Sequence, residues 1–194
     1  MDVSRSDSSL SDQLNRYRSY LSLLAEAELG KRLRERVSPS DVVQETLLEA
    51  YRDRGNYRGT HEYEFVAWLR KILHHTLLRL HEAHVRAACR DIRREVKFSQ
   101  LDRFEESAIR FEQSLVDQSN RPEDNVDRYA QIAAVSSALT QLRPDYRHVL
   151  MLRNFQELSF DQIATEMGRS CPAVRMLWLR ALQALRKQLS ASDQ

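Results

Sequence analysis

The sequence predicts an all-α fold: two small helical domains joined by an acidic linker, the second a helix-turn-helix domain. Three observations predict it. Apolar residues recur at helical spacing through most of the 194 residues, and the short Val96–Phe98 alternation is the nearest approach to a strand. The four glycines, Gly30, Gly55, Gly59 and Gly168, fall where that periodicity breaks. The four prolines, Pro39, Pro122, Pro144 and Pro172, fall at or near the first turn of a new periodic run, where a missing N–H costs least. Hydrophobic residues at 42% can fill a core while charged residues at 30% hydrate the surface.

Residues 11–36 carry two short amphipathic runs, broken near Gly30. Ser38, Pro39, Ser40 and Asp41 combine capping hydroxyls, an early proline and an early carboxylate, which is a helix start. The helix runs to about Arg54, with Val42, Thr46 and Ala50 near one face and Val43, Leu47 and Tyr51 beside them. "DRGNYRG" is a loop with two glycines. Thr60 is expected to cap a long helix beginning "HEYEFVAWLRKILHHTLLRL", where Phe65, Leu69, Ile72, Leu73 and Leu77 repeat at helical spacing. Trp68, Tyr63 and Phe65 read as packing residues, while Tyr57, in the loop itself, is equally open to contact with a ligand. The continuation "HEAHVRAACRDIRREVK" grows steadily more basic.

These elements make residues 10–97 a first domain. Residues 98–128, acidic and containing the turn-rich "DQSNRPEDN", read as the linker, and 129–189 as the second domain. In its hairpin, "SFDQIATEMGRSCPAVRMLWLRAL", Phe160, Ile163, Ala164 and Met167 follow the spacing of a short helix with one buried face. Ser159 or Asp161 can cap it, Gly168 ends it, and Ser170 can cap the next helix. At 100° per residue, Val174, Leu177, Trp178, Ala181 and Leu185 fall on the inner side of that helix. Arg175, Met176, Leu179, Arg180, Gln183, Arg186 and Lys187 collect opposite. Such a face can enter a major groove, where Arg175 can read a guanine edge or hold a phosphate.

The net charge of +2 conceals an uneven distribution. Residues 67–97 hold eight basic against three acidic side chains, 99–128 four against eight, and 143–190 eight against four. Two basic blocks flanking an acidic segment suit two contacts with one polyanion, although a solvated helix face carries charge too.

Several classes find little support. Cys89 and Cys171 form no CxxC pattern, so neither a disulfide framework nor a thiolate zinc site is indicated. His74, His75, His81 and His84 lie near Cys89, but Cys89 stands about 140° around the helix from His84, a poor geometry for three ligands on one helix. No metal or other cofactor is expected. No phosphate-cradling glycine loop, HExxH or nucleophile motif supports an enzyme, and the Glu45–Glu49 carboxylate pair lies on an exposed helix face. The polar N-terminus has no apolar signal core and no run reaches membrane-spanning length, giving the expectation of a cytoplasmic protein.

The order of these features resembles the RNA polymerase sigma factors of the extracytoplasmic-function type. "SDVVQETLLEAYR" is similar to their polymerase-binding helix, and "NYRGTHEYEFVAWLRKIL" to their promoter-melting segment. "CRDIRREV" resembles the basic end of the helix that meets the −10 element, and residues 142–189 resemble the −35-reading domain almost throughout. The wording of "YRSYLSLLAEAEL", "WLRKIL" and "AVRMLWLRAL" is most similar to planctomycete sigma factors.

The resemblance implies that Asp41, Gln44 and Glu45 dock on core RNA polymerase. It implies that Tyr57, Arg58, Gly59 and Thr60 hold a base flipped from opened −10 DNA, and that Arg86, Arg90, Arg93 and Arg94 track −10 phosphates. Ser170, Arg175 and Arg180 would face the −35 duplex. His75 stands where the family usually has asparagine and Leu177 where it is frequently basic, so both bear on base readout. The family also implies an anti-sigma partner. The rival reading is a stand-alone helix-turn-helix regulator of a duplex operator, which leaves residues 40–97 as scaffold. A helical adaptor between proteins is a third class.

Overall fold

Amphipathic periodicity becomes helix throughout the residues that the computed structural model describes, 3–29, 37–85, 96–115 and 125–192, and no strand occurs among them. The chain is all-α and divides into two compact units, Met1–Glu106 and Ser107–Gln194.

In the first unit, α1 (Val3–Arg16) and α2 (Arg18–Glu28) meet at Tyr17, which is fully buried. Tyr20, Leu21, Leu23, Leu24 and Ala25 give α2 a broad inward face. α3 (Pro39–Asp53) begins at Ser38, whose hydroxyl accepts from the Ser40 N–H at 3.1 Å, with Pro39 in the first turn. Val42, Val43, Leu47 and Ala50 are buried. Thr46 joins them because its hydroxyl donates to the Val42 carbonyl at 2.8 Å, so nothing polar is left unpaired there. Tyr51, expected beside that face, is exposed, and the Arg54 guanidinium lies 4.3 Å from its ring centre. α4 (Glu62–Val85) packs on α2 and α3 through Phe65, Leu69, Ile72 and Leu73.

Residues 98–128, expected as a linker, include most of a helix, α5 (Val96–Leu115), which also takes in the Val96–Phe98 alternation. Phe104, Ala108 and Phe111 are buried at i, i+4, i+7 spacing, an apolar stripe inside an acidic stretch. The segment 116–124, most of "DQSNRPEDN", lies outside the described residues.

In the second unit, α6 (Asn125–Gln141) and α7 (Pro144–Leu150) are followed by a single π turn, Met151–Phe155. Its widened ring is closed by the Gln156 N–H donating to the Met151 carbonyl at 3.1 Å. α8 (Phe160–Met167) and α9 (Cys171–Ser192) form the hairpin, with α9 packed on α6, α7 and α8. Ile132, Val149, Leu152, Ile163, Val174 and Ala181 are its buried centre.

Candidate functional site

Local chemistry fixes both ends of α8. The Ser159 hydroxyl accepts from the Gln162 N–H at 3.2 Å while the Gln162 side-chain oxygen accepts from the Ser159 N–H at 2.8 Å, a reciprocal capping box. Gly168 ends the helix at φ 62°, and a Cβ there would meet nothing within 4 Å, so backbone conformation rather than space requires glycine. Ser170 is exposed and its carbonyl accepts from the Val174 N–H at 3.0 Å, opening α9. Val174 is fully buried and the small Ala164 nearly so, as the facing sides of a helical hairpin need.

The two sides of α9 divide as the helical wheel predicts. Val174 and Ala181 are buried and Leu177, Trp178 and Leu185 half-buried, whereas Arg175, Met176, Leu179, Arg180, Gln183, Arg186 and Lys187 are all exposed. Phe160 organises the entrance: the guanidinium groups of Arg153 and Arg175 lie 5.0 and 5.5 Å from its ring centre, and Trp178 meets it edge-on at 5.7 Å.

In the first unit the loop after α3 is held from three directions. Tyr57 packs 4.9 Å from Trp68 and edge-on to Phe65 at 5.6 Å between ring centres. Burial raises the pKa of its hydroxyl, and the Glu64 charge adds to the shift. Its ring lies over Gly59, where a Cβ would fall 2.7 Å from Tyr57 Cε2 and closer still to Cζ and the hydroxyl. His61, not Thr60, holds the cap position of α4, because the His61 carbonyl accepts from the Glu64 and Phe65 N–H groups at 3.1 and 3.2 Å. The Glu64 carboxylate reaches back to the N–H groups of Thr60 and His61, at 2.7 and 3.0 Å, and these bonds hold its pKa below the usual carboxylate range. Tyr63 is exposed and packs locally rather than in the core, stacking on His61 with 5.6 Å between ring centres.

A cleft of about 360 Å³ opens beside this loop. Tyr57, Gly59 and Thr60 line it together with Gln13, Arg16 and Tyr17 of the N-terminal helices. Glu62, also in its lining, pairs with Arg16 (Nη1 to Oε1, 2.9 Å) and accepts a hydrogen bond from the Tyr17 hydroxyl on the same oxygen. Arg58 and His75 are exposed but are not among the lining residues. His74 is the buried member of the histidine pair, 4% exposed, with Phe104 at 5.1 Å and no partner for its Nε2. Burial, then the charge of His75, lowers its pKa.

Asp41, Gln44 and Glu45 are exposed on α3, and Leu48 on the same face is 48% exposed. Arg79 crosses from α4 to pair with Glu49 and, at 3.7 Å, with Glu45. Arg86, Arg90, Arg93 and Arg94 lie outside the described residues. Among those residues no His, Cys, Asp or Glu cluster could hold a metal, and no helix is long and apolar enough to cross a membrane.

Sequence reasoning missed two parts of this arrangement. Glu64 could have been found, since a carboxylate three residues after His61 has the spacing of a capping box. The Arg16–Glu62 pair joins residues 46 apart, and no local pattern announces it.

Comparison with known proteins accounts for both units. Residues 16–94 match the family described as Sigma-70 region 2, and residues 129–185 match Sigma-70, region 4. The RNA polymerase sigma-H factor of Pseudomonas aeruginosa is 34% identical over 150 residues, covering 77% of this chain and 72% of that protein. The RNA polymerase sigma factor YlaC of Bacillus subtilis is 27% identical over 164 residues, 84% of each chain. The RNA polymerase sigma-E factor of Streptomyces antibioticus is 33% identical over 73 residues, 38% of this chain and 41% of that one.

Proposed function

Because the chain belongs to the RNA polymerase sigma factors, of the extracytoplasmic-function type, we propose a division of labour among its surfaces during transcription initiation. It is a transcription initiation factor, and membership implies that it binds core RNA polymerase and promoter DNA. One observation carries this: the two sigma-70 regions follow one another on one chain. A stand-alone operator-binding regulator would need only the second.

In this reading Asp41, Gln44 and Glu45 dock α3 on the polymerase. Their common exposure supports it, as does Leu48, an exposed apolar side chain on the same face. Tyr57, Arg58, Gly59 and Thr60 receive a base from the opened −10 strand. The cleft beside them supports this, since Tyr57, Gly59 and Thr60 line it together. His75, exposed further along α4, tunes the base preference, and Arg86, Arg90, Arg93 and Arg94 follow the −10 phosphates. Ser170, Arg175 and Arg180, exposed at the start of α9, face the −35 duplex. In the same reading the protein works in the cytoplasm with the polymerase, an anti-sigma partner restrains it, and it belongs to a planctomycete-like subgroup, which the resemblance of "YRSYLSLLAEAEL", "WLRKIL" and "AVRMLWLRAL" supports.

The test is co-elution with bacterial core RNA polymerase on gel filtration, beside a variant with Asp41, Gln44 and Glu45 all changed to alanine. Wild-type co-elution lost in the variant is the expected result. Co-elution of both would leave the sigma reading standing and remove these docking residues. Co-elution of neither, with duplex binding retained, would overturn the reading of the first unit.

A further inference from the structure

Two of the seven outward residues of α9 are out of character with the rest. Met176 is 50% exposed and Leu179 46%, although each stands among arginines. At i, i+3 they share a face. Arg175 is four residues before Leu179, and Arg180 four after Met176, so the apolar pair is framed by two guanidinium groups on one side of the helix. Neither side chain belongs to the core, which takes Val174 and Ala181. Exposed apolar surface of this kind costs free energy unless something covers it.

The charge around the pair selects what covers it. α9 contains no aspartate or glutamate, and Arg175, Arg180, Arg186 and Lys187 all lie on its exposed side. The matching surface is a polyanion with an apolar group recessed among acceptors. The major groove of duplex DNA has one such group, the C5 methyl of thymine. Met176 and Leu179 are the sixth and ninth residues of α9, within about 12 Å of its start at 1.5 Å per residue, the part of a recognition helix that reaches base edges.

We propose that Met176 and Leu179 read thymine methyl groups in the −35 element, so that this factor selects A·T pairs there by apolar contact while Arg175 and Arg180 supply position and charge. The inference rests on the sigma-factor reading and adds to it a pair of specificity-determining residues. Methionine suits the role because its unbranched thioether adapts to a neighbour's shape. Leu179 adds a second apolar surface one turn further on.

The test uses holoenzyme assembled from the full chain and bacterial core polymerase. Sequences bound from a randomised duplex pool are enriched and resynthesised with deoxyuridine replacing thymidine, one position at a time, which deletes only the methyl group. At one or more thymidines of the −35 segment, binding should weaken roughly fourfold, the value of one buried methyl. The same replacement should leave Met176→Ala or Leu179→Ala holoenzyme unchanged, while Arg180→Ala binds more weakly yet stays sensitive to the methyl. Both apolar side chains are exposed, so these variants keep the core, which thermal unfolding checks. The proposal is overturned if every thymidine tolerates replacement, if the enriched −35 segment lacks thymidine on both strands, or if the alanine variants respond as wild type does. The sigma reading survives each of these. Enrichment of no sequence at all would sink both. Normal DNA selection by the alanine variants with loss of a bound protein partner would assign the patch to that partner instead.

Discussion

Glu64 holds Thr60 in place: its carboxylate accepts the Thr60 N–H at 2.7 Å and, with the same oxygen, the His61 N–H at 3.0 Å. Three residues separate the end of the loop from the carboxylate that orients it. The first turn of α4 therefore positions the loop as well as starting the helix.

Glu64→Ala should lower the melting temperature of the first unit at pH 7. The folded-state pKa of Glu64 is lowered from 4.5, so its stabilisation is complete above that value and disappears as pH falls through the folded pKa. The gap between wild type and variant, followed by thermal unfolding at pH 7, 5 and 3, should close with acid. A gap independent of pH would remove the carboxylate's charge from the account.

Gly59→Ala should push the Tyr57 ring away from its seat against Phe65 and Trp68, at a cost of about 1 kcal/mol. Trp68 emission, read in a Trp178→Phe background, should change, and promoter opening should fall more than duplex binding. Unchanged emission would mean that the loop, rather than the ring, gives way.

His74 should make the stability of the first unit depend on mild acid. Its folded-state pKa is lowered from 6.5, so the unfolded chain takes up the proton first and stability declines as pH falls below that value. His74→Leu should flatten unfolding free energy between pH 7 and 5. A slope that persists in the variant would belong to another group.

In the second unit, two substitutions at left-handed positions should have opposite signs. Glu157 has φ 53° without being glycine, and Glu157→Asn should stabilise by about 0.5 kcal/mol. Gly168 has φ 62°, and Gly168→Ala should cost about 1 kcal/mol despite the open space around it. Denaturant unfolding reads both.

Promoter affinity should fall with salt at a log–log slope of about −4 to −7, corresponding to roughly five to eight neutralised phosphates. A slope near zero would end the electrostatic part of the proposal.

Where a residue's neighbours are its neighbours in sequence, the structure was legible in advance. The Ser38 cap, the Gly168 stop and the two sides of α9 depend on spacing within a few residues, and they stand where the pattern puts them. Position within a stripe did not settle Tyr51, because an edge position can face Arg54 as easily as the core. Charge concealed α5, whose buried Phe104, Ala108 and Phe111 sit in an acidic stretch. The cleft was legible on the loop side only, since Gln13, Arg16 and Tyr17 reach it through tertiary packing.

The π turn at Met151–Phe155 bears on how this chain should be aligned with its relatives. A widened turn holds one residue more than α-helical spacing allows, and here Met151, Leu152 and Phe155 stay buried around the surplus. A relative with one residue fewer between α7 and α8 would close the turn to ordinary helix and keep both flanking helices. The gap belongs inside residues 151–155, and moving it into α8 would shift every position of the hairpin by one, pairing inward residues with outward ones.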